Sequence, residues 1–469
     1  MLSPRDPAAP GEARAGQALA ASAYRWVLWG GFLVMLGANL PGHLSFDSVV
    51  QLHEARTGVR ETWAPAVMSW ILRRFDDLSP GAGLYVTASA LLLFASLLAL
   101  RGLRPRTSWA APAAALAAAA TPMLLIYPAI VWKDVLFADL AVAGFVALAY
   151  AARGWADRRG RLAPLGAALA ALSLAALVRQ NGAVALAVAA LVVGWTARGG
   201  GARAMLGWGL GFLAAGLVLS QAIGVAAQPQ GAPAAKDTRI GLRVLQHYDI
   251  VGAVAHEPSL PLEALSAEAP AAAAVVRAQG PVAYSPVRVE TFDRAPELGR
   301  ALWKTPEGAV ARQWREIVLG HPGAYLSHRL EVFRWVFLTP ALDQCLPVFT
   351  GVADVPGKLA DLQIAAGQRP QDRALADYAA RFFDTPVYSH LAYALLALAV
   401  GVFLLWRGEA ADLAIAGLQA AALGFAASFL LISVACDYRY LYFLDVAAMA
   451  GFLYVALDPS LIRRRRRAG

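Results

Sequence analysis

The chain has 469 residues, 58% of them hydrophobic and 16% charged, with a net charge of +9 at neutral pH. A mean hydropathy of +0.51 excludes an ordinary soluble globular protein. The basic excess does not point to nucleic acid, because it is split among short connections between apolar runs instead of forming one patch.

Residues 1–23 are rich in Ala, Pro and Gly and read as a disordered cytoplasmic N-terminus. The run 24–41 follows without a basic leader or a small-residue cleavage site, so it reads as an uncleaved anchor. A helical span needs about 20 mostly apolar residues to cross about 30 Å of hydrocarbon. Ten runs meet or approach that length: 24–41, 82–100, 109–127, 134–151, 163–179, 182–197, 204–226, 386–406, 411–434 and 438–457. All are rich in Leu, Ala and Val, which favours helices over a barrel. The predicted fold is therefore an all-α polytopic membrane protein with about ten transmembrane helices.

The connections alternate in charge. Arg101, Arg104 and Arg106, then Arg153, Arg158, Arg159 and Arg161, then Arg198 and Arg203, then Arg463 through Arg467, follow spans two, four, six and ten. Lys133, Arg179 and Arg439 are single basic residues in alternate connections. The positive-inside rule puts both termini in the cytoplasm of a cell inner membrane and the longest connections outside. The predicted divisions are a seven-span block 24–226 with a first outer loop 42–81, an extracytoplasmic segment 227–385, a three-span block 386–457, and a basic tail 458–469 suited to anionic membrane lipid.

In the first outer loop a short helix is predicted from Ser45 to Ala55 and a second from Trp63 to Phe75. Trp63, Val67, Trp70 and Ile71 make an apolar stripe on the second, suited to the membrane interface. In the long segment, Tyr325, Arg329, Val332, Phe333 and Val336 recur at helical spacing from Pro322 to Leu338. No pair of histidines has zinc-site spacing, and no phosphate-binding glycine loop, dinucleotide fingerprint or nucleophile elbow occurs. Cys345 and Cys436 both fall outside, where a disulfide is permitted, but their separation in sequence leaves the pairing open.

Charges beside hydrocarbon are costly and tend to mark function. Four groups stand at span edges on the outer face. Asp47 opens a helix with Gln51 four residues on, on the same side, and a helix start favours an ionised carboxylate. Lys133 and Asp134 begin the fourth span, and Arg179 and Asn181 join the fifth and sixth. Asp437, Arg439 and Tyr440 open the last. Lys133 and Arg439 face the positive end of a helix dipole, an unfavourable place that an anion between them would explain. Arg179, at a helix C-terminus, reads equally as a structural cap with a guanidinium shaped for phosphate. Asp139 lies deeper and needs a partner.

These stretches resemble motifs of the GT-C superfamily, integral-membrane glycosyltransferases that use lipid-phosphate-linked sugars. Ser45-Phe46-Asp47-Ser48-Val49-Val50-Gln51 is similar to the acidic first-loop motif of bacterial members. Trp63-Ala64-Pro65 resembles a Trp-His-Pro element with Ala64 in place of the imidazole. Trp132-Lys133-Asp134, Arg179-Gln180-Asn181-Gly182 and Asp437-Tyr438-Arg439-Tyr440 are similar to later outer-loop motifs. The resemblance implies inverting transfer of a sugar from a polyprenyl-phosphate donor to a glycan or lipid acceptor of the cell envelope. Asp47 would then be the catalytic base, and Lys133, Arg179 and Arg439 would bind the donor phosphate. Gln51, Asp134, Asn181, Asp437, Tyr440 and Arg329 would support them, the helix carrying Arg329 closing over the site. No cofactor is required by this chemistry. A single Asp where some members have an acidic pair weakens a metal site, although a divalent metal stays compatible. The rival readings are a flippase of lipid-linked sugars, which would need polar residues through the membrane, and a non-catalytic scaffold.

Overall fold

A computed structural model describes residues 10–62, 64–228 and 239–459. Among the described residues the regular structure is helical, with isolated β-bridges in place of strands. Among the described residues eight segments are long and apolar enough to cross a membrane, and a bent pair, taken as one span, makes a ninth. They follow the predicted order. The sixth and seventh predicted spans are the arms of one 44-residue segment, Ala183–Ala226. Its first arm, Ala183–Thr196, has 14 residues, about 21 Å of helix at 1.5 Å per residue, and so falls short of the hydrocarbon thickness. The arms meet through glycine: a Cβ on Gly194 would lie 2.8 Å from the Met205 carbonyl oxygen.

Three local expectations change. The first helix is Pro10–Asn39, so the described part of the stretch read as disordered is helical, its Ala-rich composition favouring helix over coil; residues 1–9 lie outside the described residues. The third predicted span is broken: Ala110–Ala119 and Pro122–Ala129 meet at 73°. Pro122 has no N–H to continue the helix and biases Thr121 to extended backbone, here ψ 150°. The loop helices are Phe46–Thr57 and Ala66–Leu78; Pro65 sets the start of the second, and Trp63 lies outside the described residues.

The most enclosed spans are Lys133–Arg153 and Tyr438–Leu457, whose inward residues form the centre of the main core. Phe137 stacks on Phe425 at 4.6 Å and meets Phe443 edge-on at 5.0 Å. Both spans begin at candidate site residues. A second core lies wholly in the segment between the membrane blocks, around Tyr248, Val251, Leu298, Val310, Ile317 and Val332.

The first-loop backbone is held on both sides by main-chain bonds. His43 N–H donates to Ala129 and Val131 N–H to His43, while Leu44 N–H donates to Gly351 and Ala353 N–H to Leu44, all at 2.8–3.0 Å. Gly42 makes the turn from the first span at φ 108°, where a Cβ would meet Val86 at 2.7 Å. At the opposite face, Arg104 and Arg407 are buried among carboxylates and do not reach free toward headgroups. Arg407 grips Asp412 through two bonds of 2.6 and 2.8 Å, and Arg104 reaches Glu409 at 2.6 Å and Asp458 at 3.0 Å.

Candidate functional site

Asp47 is the second residue of the Phe46–Thr57 helix, and the sequence around it explains how the helix start is fixed. Ser45 occupies the capping position but spends its hydroxyl elsewhere: Trp132 Nε1 donates to Ser45 Oγ at 2.8 Å. Ser48 Oγ donates to the Val131 carbonyl at 2.7 Å. Two hydroxyls thus tie the helix start to the residues that open the Lys133–Arg153 helix. Asp47 and Lys133 come together because Ser45 and Ser48 read Val131 and Trp132.

The carboxylate of Asp47 remains 41% accessible and accepts from Arg439 Nη2 at 2.6 Å. The same nitrogen donates to Asp437 Oδ2 at 2.9 Å. Arg439 itself is buried in the short turn Tyr438–Leu441 that opens the last span, its guanidinium 4.9 Å above the Trp132 ring. Its Nε faces Asp134 at 3.9 Å and makes no hydrogen bond among the described residues. Asp134 in turn pairs with Arg179 Nη1 at 2.6 Å. Arg179 caps the Arg158–Val178 helix and lies over the Phe429 and Tyr440 rings at 5.4 and 5.2 Å. Ion pairs therefore run Asp47–Arg439–Asp134–Arg179, joining all four edge groups on one face.

Lys133 differs from the other cations. It is half-buried, within electrostatic reach of Asp47, Asp134 and both arginines, yet it forms no ion pair or hydrogen bond among the described residues. Burial pushes the Asp47 carboxyl up, but the Arg439 and Lys133 charges and the Arg439 hydrogen bond outweigh it, so Asp47 titrates below its ordinary value.

Three other predicted residues sit beside this row. Gln51 is buried one turn beyond Asp47. Asn181 donates to Ser428 Oγ at 2.8 Å and so joins the turn after Val178 to a neighbouring span. Tyr440 stacks on Phe429 at 5.5 Å.

Arg329 does not join them. It is fully buried, pairs with Asp249, and donates to the Ser433 carbonyl at 2.7 Å. The helix carrying Arg329 is expected from the sequence to close over the site, but the face it shares with Tyr325 and Val332 packs on the second core. Asp249 holds the group together, accepting from Trp314 Nε1 at 2.6 Å and meeting His328 Nε2 at 3.1 Å. Arg329 acts instead on the chain that leads to Asp437. Ser433 is one anchor of that lead-in; Val289 N–H to Val434 at 2.9 Å, Cys436 N–H to Val287 at 2.6 Å, and a Cys345–Cys436 disulfide are others.

The residues that sequence reasoning missed are Trp132, Ser45 and Ser48 as the platform, and Cys436 as the tether. Each lay inside or next to a quoted motif; their roles depend on partners 83 to 91 residues away. The deep carboxylates have local partners: Asp139 accepts from Ser89 at 2.7 Å, and Asp445 meets His390 Nδ1 at 2.9 Å. Among the described residues no group of histidines, cysteines and carboxylates is arranged to hold a metal ion.

No family model and no curated protein sequence matches the chain. Among solved structures it is similar to the archaeal oligosaccharyltransferase AglB from Archaeoglobus fulgidus, in complex with an inhibitory peptide and a dolichol-phosphate. That likeness covers 92% of this chain and 50% of the other, at 12% identity and a TM-score of 0.39, so the chain spans about half the length of AglB. It is also similar to ArnT from Cupriavidus metallidurans bound to undecaprenyl phosphate, over 96% of this chain and 78% of that one, at 15% identity and a TM-score of 0.28. The overlap is loose in both, and the functional reading rests on side-chain geometry.

Proposed function

We propose that the chain is a membrane glycosyltransferase that moves a sugar from a polyprenyl-phosphate donor to a cell-envelope acceptor, on the extracytoplasmic face. The observation that carries this reading is an accessible carboxylate, Asp47, in one row with buried Arg439 and Arg179 and beside an unpaired Lys133. A base and an anion seat stand side by side at the end of apolar spans, where a lipid phosphate has both its charge and its tail accommodated.

Asp47 takes the proton of the acceptor hydroxyl, and the acceptor oxygen forms a bond to the anomeric carbon from the side opposite the donor phosphate. The bond between that carbon and the phosphate oxygen breaks, and its electron pair leaves on the phosphate. Polyprenyl phosphate departs with one more negative charge, Asp47 holds the proton, and the product is inverted. The growing charge falls where Lys133, Arg439 and Arg179 can stabilise it without rearrangement. Phosphate is a good leaving group, so no separate acid is needed. The scheme routes no step through a divalent metal; Asp134 lies in ion-pair distance of Arg179, and Asp47 and Asp437 share Arg439.

The test is sugar transfer in membranes containing the full chain, with envelope glycans read by mass spectrometry. Asp47→Asn should lower turnover about 10²–10⁴-fold, the usual share of a general base. Wild-type transfer by Asp47→Asn would remove Asp47 from the chemistry. Uptake of lipid-linked sugar into vesicles with no glycan product would favour the flippase reading instead.

A further inference from the structure

In the structure the proposed base is not free. Arg439 Nη2 donates to Asp47 Oδ2 at 2.6 Å and so occupies one oxygen of the carboxylate. The charges also balance without any ligand: Lys133, Arg179 and Arg439 against Asp47, Asp134 and Asp437. An incoming phosphate brings negative charge into a neutral cluster and must displace a carboxylate from a cation or remain uncompensated.

The geometry selects which carboxylate yields. Asp134 is buried and held by Arg179 at 2.6 Å, with the Arg439 Nε at 3.9 Å behind it. Asp437 is 22% accessible and only two residues from Arg439 along the chain, so it travels with the arginine. Asp47 has the most exposed side chain of the three and sits on a different element, the first-loop helix. Arg439 cannot follow Asp47 outward, because it lies over the Trp132 ring in a turn tethered by the neighbouring disulfide.

We propose that Arg439 is an exchange cation: the donor phosphate takes its Nη2 from Asp47, and only then is Asp47 free to act as base. Asp437 and Asp134 are the positioning residues that keep Arg439 in place during the exchange. Lys133, already unpaired, meets the phosphate first. The inference rests on the transferase reading and adds an order to it: donor before acceptor, with the base masked until the donor is seated. An enzyme so built does not expose an unpaired carboxylate in the donor's absence. After transfer the proton on Asp47 offsets the extra charge on the leaving phosphate, so the cluster's total charge is unchanged through the step.

The experiment measures undecaprenyl phosphate binding to the full chain in phosphatidylcholine nanodiscs, with no sugar and no acceptor. If Asp47 competes for Arg439, Asp47→Asn and Asp47→Ala should both bind the probe about tenfold more tightly than wild type, the scale expected for a half-exposed ion pair. Misfolding cannot produce a gain in affinity. Arg439→Gln should bind more weakly, and adding Asp47→Asn to it should give no further gain. Inorganic phosphate and phosphatidylglycerol serve as parallel probes. The same gain with either would overturn the assignment to a lipid-carrier phosphate. Equal binding by wild type and the Asp47 variants would overturn the exchange while leaving the transferase reading intact. No binding of undecaprenyl phosphate by any of them would overturn both.

Discussion

Asp47 owes its behaviour to neighbours from two other elements. Burial pushes its carboxyl up, and Arg439 and Lys133 more than reverse that. Removing one lowering charge must shift the balance back, because the anion then has less support and deprotonation needs a higher pH. In Lys133→Gln, the acid limb of residual kcat/KM should therefore move to higher pH than in wild type. A limb that stays put would separate Lys133 from the base. Helix-dipole arguments on sequence alone could single out Lys133 and Arg439, since a cation at the positive end of a helix is anomalous wherever its partners lie. The same arguments gave Arg179 a bland explanation, and the structure shows it as a helix cap that also pairs with Asp134. Arg329 could not be sorted this way. Periodicity marks a face as buried but carries no information about which of two cores receives it.

Elements show a similar division. Span positions were legible because hydrocarbon imposes a length and an apolar composition on every crossing. Breaks within them depended on backbone chemistry at single residues such as Pro122. The first-loop helices were foreseen to within a few residues, but not the carboxylate that organises the turn between them. Glu54 is buried and accepts from Arg60 at 2.9 Å, Ser69 at 2.7 Å, and the Glu61 and Thr62 N–H groups at 2.7 and 2.6 Å. Glu54→Ala would strand the Arg60 charge, with an expected cost of about 3–5 kcal/mol seen as a lower melting temperature in detergent. A melting temperature equal to wild type would show that the loop is held by other means. The segment between the membrane blocks offers an independent probe at Gly252, where a Cβ would lie 2.1 Å from His328 Nδ1. Gly252→Ala should push His328 off Asp249 and cost about 1–3 kcal/mol, the range for forcing a methyl into a packed core. Unchanged thermal stability would mean that the His328–Asp249 contact carries little.

On the scale of the whole molecule, the segment between the membrane blocks holds both sides of the candidate site: Gly351 and Ala353 bond Leu44 ahead of the Asp47 helix, and other residues hold the strip of chain 433–437. Arg329, Val289, Val287 and Cys345 each hold a point on that strip, and Arg439 follows it. The sequence could place both cysteines on one face but not at bonding distance, because 91 intervening residues leave the path between them unspecified. Closing a loop of that length contributes about 2–5 kcal/mol. Cys345→Ser with Cys436→Ser should lower the melting temperature accordingly, and wild type treated with reductant should fall to the same value. Equal melting temperatures with and without reductant would mean that the bond does not constrain the fold.

That bond also makes the sidedness of the chain testable. Two thiols on the loop face become joined where the surroundings are oxidising, and stay apart where glutathione keeps them reduced. Its presence in the cell would be a test of sidedness independent of the count of arginines from which the orientation was first read. Intact spheroplasts treated with a membrane-impermeant reductant, then denatured and labelled with maleimide, should show both otherwise buried cysteines modified, and untreated ones neither. Labelling without reductant would mean that the two thiols are not joined, and labelling that requires the membrane to be opened before the reductant is added would turn the molecule the other way up.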